Sequence, residues 1–221
     1  VVVEPPSTKR IVVDVVVPVR DLTQLAVAPG DTQPADDGAR SPVPSIWPHV
    51  DERIVDLVAA HRSTLVFTNA RRGAERLAAR MNEVWATRRG EQLPARGEVW
   101  AAHVPGQSGT AAGVHEGLVA LSHHGSMSRA QRTSVEERLK AGDLPAVVAT
   151  SSLELGIDIG ALDLVVQVGA PPSVASGLQR AGRAGHQVGA VSRTVMFPTH
   201  RGDLVACAVA ARRMRRGELE S

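Results

Sequence analysis

Four short stretches of this 221-residue chain hold the side chains that could do chemistry. They are Asn69-Ala70-Arg71-Arg72, His123-His124-Gly125-Ser126, Ser151-Ser152-Leu153-Glu154-Leu155-Gly156-Ile157-Asp158, and Gln179-Arg180-Ala181-Gly182-Arg183-Ala184-Gly185-His186. Hydroxyls, amides, glycines and forked guanidiniums are the groups that hold phosphate. They supply open N–H donors at helix starts, close backbone approach and bidentate cations. A metal is not expected. His123 and His124, with His103 or His115, could be ligands, but adjacent residues at a strand end point to opposite sides, and no cysteine pair or HExxH helix supports them.

For these stretches to converge, the chain must bring them to one edge. Apolar runs at LVFT (65–68), LVALS (118–122), AVVAT (146–150), LVVQVG (164–169) and TVMFP (194–198) alternate with amphipathic helical stretches. That alternation predicts an α/β fold whose parallel sheet is covered on both faces, with ligands at the carboxyl ends of the strands. Val50, Ile54, Leu57 and Val58 mark one helix, with Asp51 and Glu52 expected in its first turn. Leu77, Met81 and Val84 form the inner stripe of an Arg-rich helix over 70–87, with Trp85 packing and Arg76 and Arg80 solvated beside Glu75 and Glu83. Ser128 and Gly142 bound a third helix. Others begin near Ser173 and Gly202, and Arg212, Arg213, Arg215 and Arg216 suit the C-terminus of the last. Ahead of these, Ile11 to Val19 reads as an incoming strand and Val27 to Pro48 as a mobile connector. Residues 88–117 read as a long loop.

Composition narrows the class. Hydrophobic residues make up 43% and charged residues 22%, enough for a soluble core, while aromatics are only 2%. A single cysteine, Cys207, excludes an internal disulfide and a cysteine zinc cluster, and its apolar neighbours predict burial. No apolar run nears the roughly 18 residues of a membrane span and no signal peptide opens the chain, so the expected location is cytoplasmic. The formal net charge is +2, yet Lys9 and Lys140 are the only lysines among 25 basic residues. That arginine bias suits an anionic partner or reflects a GC-rich genome. The start at Val1 suggests a piece of a longer protein.

The wording of the stretches is specific. ATSSLELGIDIG (149–160) followed by QRAGRAGH (179–186) resembles motifs V and VI of superfamily 2 helicases, and LVFTNARR (65–72) resembles their motif IV. SHHGSMS (122–128), the final His186 and the run from Ser45 to Glu83 are similar to the large helicase-related (Lhr) proteins. The resemblance covers about residues 45–216. It implies a RecA-like three-layer fold of the P-loop NTPase type, one of two such domains with ATP and Mg²⁺ between them and single-stranded DNA or RNA across the top.

The chain lacks GxxxxGK[ST], and Asp51-Glu52-Arg53-Ile54 opens a helix instead of ending a buried strand, so the P-loop and acidic box are absent. The resemblance therefore implies that residues 45–221 are the second RecA-like domain and 1–44 the tail of the first with its connector. The Mg²⁺ ligands would sit in that first domain. Arg183 would be the arginine finger, with Arg180 a second candidate and Gln179 binding or sensing the nucleotide. Gly156 and Asp158 would face the nucleotide, Asp158 accepting from the ribose hydroxyl. Thr68, Asn69, Arg71, His124, Gly125, Ser126, Thr150 and Ser151 would hold backbone phosphates. His186 stands where many relatives carry another arginine. The implied activity is that of an ATP-dependent DNA helicase or translocase moving 3′ to 5′, inactive as this piece alone. The competing readings are an RNA helicase of another superfamily 2 branch and a non-catalytic RecA-like module binding nucleic acid or a partner.

Overall fold

The computed structural model describes residues 10–19, 27–34, 40–91, 117–154, 160, 162–185 and 191–220. Buried parallel strands read as short, continuous apolar runs, and each predicted run became one: β4 (Thr64–Thr68), β5 (Ala120–His123), β6 (Ala146–Ala149), β7 (Leu164–Val168) and β8 (Ser192–Phe197). With β1 (Ile11–Val15) they form a parallel sheet in the order β1-β8-β7-β4-β6-β5. Non-consecutive neighbours require crossovers, which the helices provide. These are α1 (Trp47–Ala59), α2 (Arg71–Arg89), α3 (Arg129–Ala141), α4 (Val174–Ala181) and α5 (Arg201–Arg216).

The period-2 geometry of a strand sends neighbouring residues to opposite faces. Val66, Val148 and Val166 pack with Val50, Ile54, Leu77 and Met81 of α1 and α2. Leu65, Phe67, Val147 and Val165 face the other way, toward Val135 and Leu139 of α3. A third cluster joins Val13 and Met196 to Cys207, Ala211 and Met214 of α5. There Gly177 lets α4 approach α5, since a Cβ at that position would lie 2.7 Å from Met214 Sδ. The Cys207 thiol is buried as expected, and burial, reinforced by the Asp203 carboxylate, pushes its pKa up to about 12. No helix among the described residues is long and apolar enough to cross a membrane.

Several local expectations change. The connector expected over 27–48 contains an antiparallel ribbon, β2 (Val27–Pro34) with β3 (Arg40–Pro44). Both strands of a two-stranded ribbon are edges, so they tolerate the prolines that disguised them. Helix α1 starts at Trp47 with proline in its first positions, which removes Asp51 and Glu52 from the first turn. Asp51 is instead 2% exposed and accepts from Arg80 Nε and, at 3.1 Å, Nη2. The Arg80 guanidinium also lies 4.6 Å from the Trp47 ring. Arg80 is thus no solvated helix charge but ties α1 to α2. Arg215 is likewise more than a charge at a helix end. Its Nε, at 3.0 Å, and Nη2 donate to the carbonyl of Val13, latching β1 under α5.

One buried amide joins α2 to the sheet. Asn82, 4% exposed, accepts from Val119 N and Ala120 N at 2.9 and 3.0 Å and donates to Ala120 O at 2.9 Å. Replacing it would strand two amides and a carbonyl away from water. Asn82→Ala is expected to lower unfolding stability by about 2–4 kcal/mol in urea titrations. A change under about 0.5 kcal/mol, the range of surface substitutions, would contradict this.

Candidate functional site

The loops leaving β4, β5 and β6 lie at the carboxyl edge of the sheet and are cross-linked by side chains. Helix α4 is N-capped by Ser173, whose Oγ accepts from Ser176 N at 3.0 Å. It carries Arg180 inward to 1% exposure. Arg180 Nε and Nη2 meet Glu154 Oε1 at 2.7 and 2.6 Å, Nη1 donates to Asn69 Oδ1 at 3.1 Å, and the guanidinium lies 5.1 Å from the Phe67 ring. A guanidinium this deep needs a carboxylate and filled donors to offset its desolvation. Glu154 and Asn69 supply both.

Past α4 the chain turns through Gly182, and Arg183, half-buried, donates from Nε and Nη2 to the backbone carbonyl of Glu154 at 3.2 and 2.7 Å. Gly185 then adopts φ +66° with the backbone of Val191 3.1 Å from where a Cβ would stand. Only glycine fits both the left-handed conformation and that approach. Gln179 is exposed at the end of α4.

Thr68 is 6% exposed and donates to Ala70 O at 3.1 Å. Asn69 is exposed, yet both ends of its amide are used, since Nδ2 also donates to Ala170 O at 2.7 Å. Arg71 is exposed and donates to Ser126 Oγ at 2.6 Å, which joins the loops after β4 and β5. Gly125, Ser126 and Ser151 are exposed and Thr150 is half-buried. His124, in contrast, turns inward: it is 7% exposed, with Nε2 3.0 Å from Glu75 Oε1. Any contact it makes to a ligand outside must come from its backbone. Gly156, Asp158 and His186 lie outside the described residues, as do His103 and His115. Among the described residues no group of three or more His, Cys, Asp or Glu could hold a metal ion. An open pocket of about 290 Å³ adjoins these loops, bordered by Trp47, Thr68, Asn69, Gly169 and His200.

Three members of this network carried no signal that the motifs assigned. Glu154 lies inside the quoted stretch but takes its meaning from Arg180 being buried. Glu75 partners His124 instead of a helix arginine. His123 is 0% exposed and links loop to helix: Nδ1 lies 2.9 Å from Ser152 Oγ and Nε2 2.9 Å from Glu136 Oε1. Its carbonyl accepts from Ser152 Oγ and Thr150 N.

The fold and these loops define a RecA-like helicase C-terminal domain. The helicase conserved C-terminal domain family matches residues 109–187. The chain is similar along its whole length to Lhr helicases. It is 54% identical over 225 residues to the Lhr helicase/probable uracil glycosylase of Mycolicibacterium smegmatis, and 48% identical over 224 residues to the Lhr helicase/uracil glycosylase of Escherichia coli. Each alignment takes in 100% of this chain but only 14% of the relative. The structure of the Mycobacterium smegmatis helicase Lhr bound to ssDNA and AMP-PNP superposes with a TM-score of 0.77 at 51% identity, covering 98% of this chain and 23% of that one.

The buried His123 gives the site a pH signature. Burial lowers its pKa below 6.5; Glu136 opposes the shift, and Arg132 and His124 add to it. The unfolded chain then binds a proton that the folded one refuses, so stability present above about pH 6.5 is lost as pH falls through the folded-state pKa. Urea midpoints are expected to drop between pH 7 and 5.5, with a shallower drop in His123→Gln. Parallel pH profiles for the two proteins would remove His123 as the cause.

Proposed function

We propose that this chain is the second motor domain of an ATP-dependent DNA helicase or translocase of the Lhr type, working 3′ to 5′. Residues 45–221 form that domain, and residues 1–44 arrive from a preceding RecA-like domain of the same polypeptide, with β1 added to this sheet. What carries the reading is the whole-length similarity to a helicase solved with single-stranded DNA and AMP-PNP. The cross-linking of the motif IV, V and VI loops through Arg180 and Glu154 supports it.

In this reading ATP binds in the cleft between the two domains, and Mg²⁺ arrives with it on ligands of the other domain. Arg183 reaches the γ-phosphate and offsets the charge that grows there during transfer, while Gln179, Gly156 and Asp158 contact the nucleotide. Arg180 acts from beneath, because a guanidinium 1% exposed holds the loops rather than the phosphate. The strand lies over Thr68, Asn69, Arg71, Gly125, Ser126, Thr150 and Ser151, with the backbone at His124. Phosphate contacts carry no sequence information, so binding is sequence-independent and weakens with salt.

Two measurements test this. In the full-length protein, Arg183→Ala is expected to cut strand-stimulated ATP turnover by about 100-fold or more while the KM for ATP changes little. Equal turnover in both proteins would remove the finger assignment, and a wild type that single strands do not stimulate would favour a binding module. The 221-residue chain alone is expected to hydrolyse no ATP above background, because the P-loop and acidic box are absent from it. Turnover by the purified piece would refute the division of labour between domains.

A further inference from the structure

We infer that Glu154 is a positioning residue that transmits strand binding to Arg183, an inference resting on the motor reading above. Glu154 has two attachments at once. Its backbone carbonyl receives Nε and Nη2 of Arg183 at 3.2 and 2.7 Å, and its carboxylate receives Arg180 at 2.7 and 2.6 Å. Two N–H groups from one edge of the Arg183 fork converge on a single oxygen, which fixes the plane of that guanidinium as well as its distance. Where Glu154 sits, Arg183 is aimed.

Glu154 is also the end of a short lever. It closes the single 3-10 turn Ser151–Leu153, its amide donating to Ser151 O at 3.0 Å. The head of that turn is the proposed phosphate grip, Thr150 and Ser151. Slack between head and end is small. Ser152 is held to the His123 ring and carbonyl at 2.9 and 3.1 Å, and Leu153 is 1% exposed in the core. A displacement at Ser151 cannot be absorbed locally and is passed to the Glu154 carbonyl. The second grip loop reports to the same carboxylate, because Asn69 accepts from Arg180 at 3.1 Å. Two of the three loops proposed to hold the strand thus converge on one residue, and that residue orients the proposed finger.

The carboxylate is needed for its charge. Arg180 is buried, so an uncharged acceptor at position 154 leaves its cation unbalanced and loosens the end of the turn. Arg183 then loses a fixed anchor while its own chemistry is intact. Strand-stimulated turnover should suffer more than turnover without a strand, so the ratio between them falls.

The test compares wild type with Glu154→Gln in the full-length protein, measuring ATP turnover with and without a single-stranded oligonucleotide. The expected result is a fall of about tenfold in the stimulation ratio, within the range of ordinary coupling between sites, with the KM for ATP within twofold of wild type. A merely structural residue would lower both turnovers together and leave the ratio alone. That result, or a ratio within twofold of wild type, would overturn the inference. If Glu154→Gln does not fold, the variant Glu154→Gln with Arg180→Gln removes both charges of the pair and keeps the assay available. A lost ratio there supports the coupling, and a wild-type ratio refutes it. Wild type without strand stimulation takes down the motor reading and this coupling with it, whereas a stimulated wild type beside an unaffected variant takes down the coupling alone.

Discussion

A guanidinium cannot be taken out of water unless the surrounding chain meets nearly all of its needs, and Arg180 is taken almost wholly out of water. Its charge is met by Glu154, one donor by Asn69 and its flat face by Phe67. Those three partners belong to two strands' exit loops and one strand, and Asn69 is separated from Arg180 by 111 positions in sequence. Neither polar partner is spare, because removing Glu154 leaves a buried cation unpaired and removing Asn69 leaves one of its donors unfilled. The result is a site whose loops cannot drift independently. Their relative placement is set by the same interaction that lets α4 pack on the sheet.

Around that fixed point the site separates into inner and outer parts. Thr68, His123, His124 and Arg180 are buried and hold backbone, carboxylate or each other's loops. Arg71, Gly125, Ser126, Ser151 and Gln179 are exposed and stand where something outside the domain can reach them. Residues of the first kind give geometry and those of the second give contact. The motifs mix the two kinds letter by letter, and only their burial sorts them.

That mixture explains what could be read in advance. The five apolar strands and the helices between them were legible because a strand buried on both faces leaves an uninterrupted apolar run. The start of α3 was legible too, since Ser128 accepts from Gln131 N while Gln131 Oε1 accepts from Ser128 N, a local arrangement written in four residues. Direction was not legible. Nothing in QRAGRAGH says that Arg180 turns in while Gln179 stays out, because that depends on a carboxylate 26 positions earlier. The same holds for His124, whose partner Glu75 lies on another helix, and for Arg80, which found Asp51 of α1 instead of its own helical neighbours. The ribbon of β2 and β3 escaped for a different reason: backbone pairing leaves no mark when composition is rich in proline and glycine.

The edge strand has a mechanical meaning. Five residue pairs, Ile11 with Ser192 through Val15 with Met196, run parallel along β8, and Ser192 N donates to Arg10 O just ahead of them. Arg215, 202 positions downstream of Val13, clamps the middle of that strand from above. Tension applied along the backbone at Arg10 therefore loads the whole ladder sideways at once instead of opening it one bond at a time. A zipper peels, but this seam must be torn across its full length. A pull on such a seam moves strand and sheet together as a nearly rigid body, with little of the displacement lost to stretching at the joint.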